Sequence, residues 1–270
     1  MSLPPNPWSD PSLLPLPERP VPVVEIPIED PVWSGWDVLQ IVLLTLASVF
    51  VFLPLVAFVA QRFLYPKVTF LDVVTYPLVT VAGQGFAYLV ILAFMFSIVK
   101  REPGRDFWQA IRWNWPKHWS NFLLAGMVLS FALQGIAHVL PMPKELPMDR
   151  FFRTAGEAWA LSLFGVTFAP LLEELFFRGF FYPVLARRFG IGIAVVVTAA
   201  SFGLIHAPQL GRAWGPVLVI FIVGLALTIA RALTKSVAAS LLMHVAYNAT
   251  LSVLLFIGTD GFRHLERLNQ

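Results

Sequence analysis

Long apolar runs without a charged residue constrain this chain more than any other feature. The first covers about 38–60 and the second about 73–99. Each run is longer than the ~20 residues needed to cross the hydrocarbon core of a bilayer. Hydrophobic residues make up 57% of the 270 residues and charged residues only 13%, so the chain cannot cover itself with polar surface in water. The sequence therefore predicts an all-α, polytopic membrane helix bundle, with the lipid bilayer as its surroundings.

Five further apolar runs bring the predicted number of transmembrane helices to about seven. They cover about residues 121–140, 158–185, 191–206, 217–230 and 237–257. The loops between the runs are short, so consecutive helices are expected to be antiparallel neighbours in the bundle. The chain is therefore predicted to be an integral, multi-pass protein of a bacterial-type cell membrane.

The chain divides into segments, and no soluble domain is predicted. Residues 1–35 contain ten prolines between Pro4 and Pro31, which indicates an extended or disordered arm. Residues 36–120 hold the first two spans and then, at 101–120, four tryptophans interleaved with basic residues. That pattern predicts a segment lying at the membrane interface, with a simple loop that carries aromatic anchors as the alternative. Residues 121–260 form the core with the remaining spans, and residues 261–270 form a short tail.

The composition also excludes several kinds of function. The chain has no cysteine, which rules out a disulfide framework, a thiol nucleophile and a zinc–thiolate site. The net charge is only +3, and the basic residues stand between apolar runs, where they serve as membrane-surface anchors. No nucleic-acid partner is therefore predicted.

Ionisable residues interrupt the apolar runs at three places, and charges inside a span are costly and usually functional. The fourth run contains Glu173, Glu174 and Arg178. Glu174 and Arg178 are four residues apart on one helix face, which predicts an ion pair. Glu173 points about 100° away from Glu174 and is free to face another helix. The structural alternative is an ion pair that only locks the bundle.

The other two places are His206, four residues after Phe202, and the His244–Asn248 pair on one face of the seventh run. A plain hydrogen bond between helices is the alternative for that last pair. Glu173 and His206 both lie about 24 Å from the turn between the fourth and fifth spans, at 1.5 Å per residue. His244 and Asn248 lie about 14 and 20 Å from the same membrane face. The depths predict that a carboxylate, two imidazoles and an amide converge in one buried pocket.

Taken together, the three motifs resemble those of the CAAX protease and bacteriocin-processing family of intramembrane peptidases. That family is marked by Glu-Glu-x-x-x-Arg, Phe-x-x-x-His and His-x-x-x-Asn motifs on successive transmembrane helices. They stand here as Glu173-Glu174…Arg178, Phe202…His206 and His244…Asn248. The resemblance covers about residues 120–257. It implies hydrolysis of a peptide bond in a membrane-associated or prenylated, CAAX-type protein or peptide.

The resemblance also implies a role for each motif residue. Glu173 and His206 would hold and deprotonate the water that attacks the scissile carbonyl. His244 and Asn248 would donate hydrogen bonds to the oxyanion, while Arg178 positions Glu174 for a catalytic or substrate-orienting role. No cofactor is firmly implied. The alternative is a zinc ion held by Glu173, His206 and His244, but three ligands from three separate helices favour a mechanism without metal.

Two functions outside this mechanism stay open on the sequence. One is a non-catalytic scaffold, immunity factor or membrane chaperone that keeps the pocket as structure. The other is a proton-coupled transporter, since glutamate and histidine chains also relay protons, but the two matching halves typical of transporters are not evident. The signatures of other intramembrane proteases, His-Glu-x-x-His, Gly-x-Gly-Asp and Gly-x-Ser-Gly, are missing from the sequence.

Overall fold

The computed structural model describes residues 29–143 and 146–266, and this part of the chain is helical, without β-strands. Its five longest single helices are α1 (Gly35–Phe63), α3 (Pro77–Val99), α5 (Trp119–Ala137), α10 (Trp214–Thr234) and α11 (Val237–Gly258). Between them lie three short helices: α2 (Phe70–Val74), α4 (Phe107–Ala110) and a 3-10 helix (Pro147–Phe151).

The remaining helices carry two of the three motifs. They are α6 (Ala155–Val166), α7 (Phe168–Glu174), a π-helical segment (Leu175–Phe181), α8 (Tyr182–Phe189) and α9 (Ile191–His206). Six stretches of the described chain are long and apolar enough to cross a membrane, with residues 155–189 counted as one stretch, and α9 is a shorter apolar helix. The protein is an integral multi-pass membrane protein, in agreement with the prediction of about seven spans.

The fourth span differs from the continuous helix that the sequence predicts over about 158–185. The helix is interrupted at Thr167, and the turns after Glu174 widen into the π-helical segment. Pro170 lacks the N–H that would bond to the carbonyl of Val166, which weakens the helix at this point. The interruption and the π-helical segment lie on either side of Glu173. Wide turns of this kind occur frequently at functional sites.

The packing of α5 corrects the prediction that consecutive helices are neighbours. Helix α1 packs along α3 and α9 along α10, but α5 packs chiefly against α11. Gly126 allows this contact, because a Cβ atom added there would lie 2.1 Å from the carbonyl oxygen of Met243. The connections before and after α5 are long enough to free it from its neighbours in the sequence, which a rule based on short loops does not allow for.

The predicted N-terminal arm differs from the structure in its last residues. Residues 1–28 lie outside the described residues, so the arm stays a prediction there. Residues 29–34 pack against the helix bundle, with Glu29 and Trp33 buried. Helix α1 then begins at Gly35, where the hydroxyl of Ser34 and the carboxylate of Asp37 cap its first turn.

The segment at 101–120 has some side chains buried against the helix bundle and others exposed on the surface. Phe107 and Ile111 are buried against the helices. Large aromatic side chains on the other side of the segment are exposed, namely Trp108, Trp115 and Trp119. Exposed tryptophans are typical of residues at headgroup depth, so the interfacial location stays a prediction that this surface supports.

Candidate active site

A fully buried ion pair joins α7 to the π-helical segment. Nη1 of Arg178 donates to Oε1 of Glu174 at 2.7 Å, and neither side chain is exposed. The rest of the guanidinium is held by α10, where Nε donates to the hydroxyl of Thr228 at 3.2 Å and Nη2 to the carbonyl of Gly224 at 3.0 Å. The ion pair predicted from the four-residue spacing is confirmed.

The imidazole of His244 lies between the two adjacent glutamates. Its Nδ1 is 2.9 Å from Oε1 of Glu174, and its Nε2 is 3.7 Å from Oε2 of Glu173. Oε1 of Glu174 already accepts a hydrogen bond from Arg178, so it acts as an acceptor and Nδ1 of His244 carries the proton. In the neutral imidazole, the unprotonated Nε2 therefore faces Glu173.

His206 is oriented in the same sense by its own helix. Its Nδ1 donates to the carbonyl oxygen of Phe202 at 2.7 Å, and a carbonyl can only accept, so this nitrogen carries the proton. Nε2 of His206 then faces Glu173, 3.8 Å from Oε1. The ring of Phe202 lies 4.7 Å from the guanidinium of Arg178, and its centroid is 4.7 and 5.7 Å from the two imidazole rings. Phe202 thus supplies a backbone acceptor and an aromatic wall.

Glu173, His206 and His244 therefore meet in one group, and the predicted convergence is confirmed for the carboxylate and the two imidazoles. No contact joins the predicted amide of Asn248 to this group in the described residues. The carboxylate of Glu173 faces two nitrogens that carry no proton in the neutral state. Three acceptors that face one another leave room for a proton donor or a cation between them, and water is such a donor. The side chains of Glu173 and His206 are 17% and 19% exposed, so this group is reachable from outside, unlike the buried ion pair.

The side chain of Asn248 binds the end of α6. Its Nδ2 donates to the carbonyl oxygen of Gly165 at 2.7 Å, on the last turn of α6 before the interruption at Thr167. This bond holds α11 to the junction of α6 and α7. The amide nitrogen has a second hydrogen, so the predicted donation to an oxyanion stays a prediction.

Several residues at the site were not predicted from the sequence. Thr228 and Gly224 hold Arg178 but carry no charge, and only a threonine inside an apolar run hints at them. On α3, Tyr88 lies within electrostatic reach of Glu173, and its hydroxyl accepts from the amide of Gln84 at 3.2 Å. That helix lies outside the region of the three motifs. Its polar residues four apart are the one signal that could have drawn attention to it.

The zinc alternative fits the site by residue type, while the ligand atoms lie slightly farther apart than in a tetrahedral zinc site. Two ligands bonded at ~2.0–2.1 Å to a tetrahedral zinc ion lie about 3.3 Å apart. The carboxylate oxygens of Glu173 are 3.8 and 3.7 Å from the nitrogens of His206 and His244. No three histidine or acidic side chains within residues 29–143 and 146–266 are arranged to hold a metal ion as they stand. The zinc alternative stays a prediction, with Glu173, His206 and His244 as the residues that would hold the ion.

Comparison with known proteins bears on the same part of the chain. Residues 153–250 match the family model described as type II CAAX prenyl endopeptidase Rce1-like. No curated protein and no solved structure matches the chain. The matched region contains all three motifs, so the resemblance predicted from them is confirmed over residues 153–250.

Proposed function

We propose that this protein, whose residues 153–250 belong to the CAAX protease family, is an intramembrane endopeptidase that uses glutamate and histidine to activate water. One observation carries the proposal. The carboxylate of Glu173 lies 3.8 and 3.7 Å from the Nε2 atoms of His206 and His244, and the other ring nitrogen of each histidine is already hydrogen-bonded. The acceptors that a nucleophilic water needs are thus oriented before substrate binds.

Water activation falls to Glu173 and His206. A single water can lie ~2.8 Å from both Oε1 of Glu173 and Nε2 of His206, which makes it a shared hydrogen-bond donor. As its oxygen bonds to the scissile carbonyl carbon, its O–H bond breaks and the proton moves to one of these two bases. The same proton then passes to the leaving nitrogen as the C–N bond breaks. General-base catalysis of this kind contributes roughly 10²–10⁴ to the rate.

His244 is suited to the oxyanion only in its doubly protonated form. Nδ1 is already committed to Glu174, so Nε2 must carry a proton before it can donate to the developing negative charge. Glu174 stabilises that imidazolium, and Arg178 keeps Glu174 in place. This assigns Glu174 a positioning and charge-balancing role. The second amide hydrogen of Asn248 is the other proposed donor.

The proposed substrate is a membrane-associated peptide or protein, and the family description favours a prenylated CAAX-type sequence. Glu173 and His206 are partly exposed, so a peptide can approach them from one side, while Glu174 and Arg178 are shielded behind them. A buried, apolar site strengthens hydrogen bonds to the oxyanion because little water competes for them.

The proposal is tested with purified protein in proteoliposomes that contain membrane peptides. Newly formed peptide termini are identified by mass spectrometry for wild type and for Glu173→Gln, which keeps the shape of the side chain and removes the base. Prenylated and unprenylated versions of one CAAX peptide are compared in parallel. New termini that appear with wild type and not with the variant support the proposal. The same termini at the same rate with both proteins would contradict it.

A further inference from the structure

Residues 29–34, here called the strap, lie against the helix bundle just before α1. The carboxylate of Glu29 is buried between two arginines. Nη1 and Nη2 of Arg231 on α10 donate to its two oxygens at 2.9 and 3.5 Å, and Nε of Arg112 lies 3.2 Å from Oε2. Arg231 is itself buried, and in the described part of the chain both of its hydrogen bonds go to Glu29.

The strap makes a second set of contacts with the segment that follows Arg178. Nε1 of Trp33 donates to the carbonyl oxygen of Phe180 at 2.9 Å, and the two rings stack with centroids 4.3 Å apart. Arg187 on α8 donates to the carbonyls of Pro31 and Trp33 at 2.9 and 3.4 Å. The strap is therefore fixed by side chains at both of its ends and by its backbone.

These contacts are made with the π-helical segment, which carries Arg178, and with α10, which binds its guanidinium. Phe180 comes two residues after Arg178 in the π-helical segment. Arg231 comes three residues after Thr228 and seven after Gly224, so the three share one face of α10. A shift of α10 along or about its axis would therefore move Arg231, which binds the strap, together with Thr228 and Gly224, which bind Arg178.

A third contact leads to the helix that carries His244. The carbonyl oxygen of Arg112 accepts from the N–H of Val237, the first residue of α11, at 3.1 Å. The backbone of Arg112 is left-handed, with φ of 60°, a conformation that non-glycine residues rarely adopt. Its ion pair with Glu29 helps to hold that conformation, and with it the start of α11.

We propose that Glu29 and Trp33 are positioning residues of the catalytic site, an inference that rests on the function proposed above. The strap holds α10, the π-helical segment and the start of α11 in one relative position. That position fixes Arg178, which fixes Glu174 and through it the Nδ1 atom of His244. The strap thus contributes to the geometry of the catalytic site, although it lies outside residues 153–250, which match the family.

The test variant is Glu29→Gln, which removes the charge and keeps the shape, and the control is Asp30→Asn. Asp30 is the next residue, its side chain is 87% exposed, and it lies 3.4 Å from Arg187. Docking of the strap is measured as the distance between spin labels at Asp30→Cys and Arg188→Cys, because the chain has no natural cysteine. The state of His244 is read from ¹⁵N-histidine NMR signals, which need no substrate and are assigned with a His244→Gln variant.

In Glu29→Gln we expect a broader label distance, shifted His244 signals and a kcat reduced by roughly tenfold to a hundredfold, with little change in KM. Asp30→Asn should match wild type in His244 signals and in kcat. Trp33→Phe keeps the ring and loses the N–H donor, and it provides a milder variant that is expected to change the same readouts in the same direction.

Two outcomes would overturn the inference. If the label distance shows that the strap stays docked in Glu29→Gln and in Trp33→Phe, these two residues do not anchor it. If the strap is released and the His244 signals are unchanged, the strap does not position the site. The NMR result stands apart from the proposed function, whose own failure would appear as equal cleavage by wild type and Glu173→Gln.

Discussion

Replacement of Arg178 by methionine is expected to destabilise the protein by about 3–5 kcal/mol, because Glu174 would stay buried without its cation. The structure supports the upper part of this range. Both side chains are inaccessible, the contact is 2.7 Å, and the variant also loses the bonds to Thr228 and Gly224. Methionine is unbranched but ends two atoms short of the arginine's terminal nitrogens, so the loss combines charge and hydrogen bonding with a small cavity. At about 2–4 °C per kcal/mol, Tm should fall by roughly 6–20 °C.

The double variant Arg178→Met with Glu174→Leu separates the ion pair from the rest of the site. It removes both charges, and such apolar replacements of buried pairs are often neutral for stability. Most of the lost Tm should return, but cleavage should not, because Nδ1 of His244 has lost its carboxylate partner. Arg188→Met is the matched control, since Arg188 is exposed and its loss should change stability by no more than about 0.5 kcal/mol.

The assay is thermal unfolding in one detergent, followed by the intrinsic fluorescence of the nine tryptophans. A wild-type Tm for Arg178→Met would refute the reasoning that Glu174 needs this cation and that the bonds of Arg178 to Thr228 and Gly224 stabilise the bundle. A double variant less stable than Arg178→Met would also contradict it, since uncompensated charge could then not be the cause of the loss.

Three other changes test separate contacts. Gly126→Ala should destabilise the protein by about 1–3 kcal/mol, because its methyl group would lie 2.1 Å from the carbonyl of Met243. Gly135→Ala on the same helix meets nothing within 4 Å and should be neutral or stabilising, so equal Tm losses would contradict the close α5–α11 contact. Asn248→Asp loses the donor to Gly165 and should speed hydrogen exchange at residues 163–168, while unchanged exchange would show that the bond does not hold the junction. Exhaustive chelation should leave cleavage intact, whereas zinc found at one ion per chain, with activity lost on removal and restored on return, would make Glu173, His206 and His244 ligands.

The grouping of the side chains at the site could be predicted from the sequence because charges inside apolar spans are rare and costly. The ionisable residues of the three motifs stand out against the uncharged residues around them, and the helical rise alone predicted that Glu173, His206 and His244 could meet. The structure then brings these five residues together. The ion pair could be predicted from spacing within one helix, where geometry leaves few alternatives.

Contacts between distant parts of the chain could not be predicted in the same way. Thr228 and Gly224 carry no charge, so nothing in the sequence distinguishes them as the hydrogen-bond acceptors of Arg178. Pairing of α5 with α11 depends on a glycine that fits one particular backbone, which composition does not reveal. Glu29 and Trp33 stand in a proline-rich stretch that indicates an extended arm, and only the buried arginine on α10 explains why they are folded against the bundle.

The proton donors and acceptors at the site also needed the structure. Spacing placed two imidazoles near Glu173, but not which nitrogen of each faces it. The carbonyl of Phe202 and the carboxylate of Glu174 occupy the Nδ1 atoms, so both Nε2 atoms are directed to Glu173. This changes the predicted role of His244, which must be doubly protonated to donate to an oxyanion.

The most direct test is the single-turnover rate of peptide cleavage in proteoliposomes, on a substrate identified by its new termini. Wild type is compared with Glu173→Gln and His206→Ala, after equal membrane insertion and Tm are shown for all three proteins. Loss of the general base should lower the rate by roughly 10²–10⁴ in each variant without unfolding the protein. Wild-type rates in both folded variants would show that Glu173 and His206 do not activate the water.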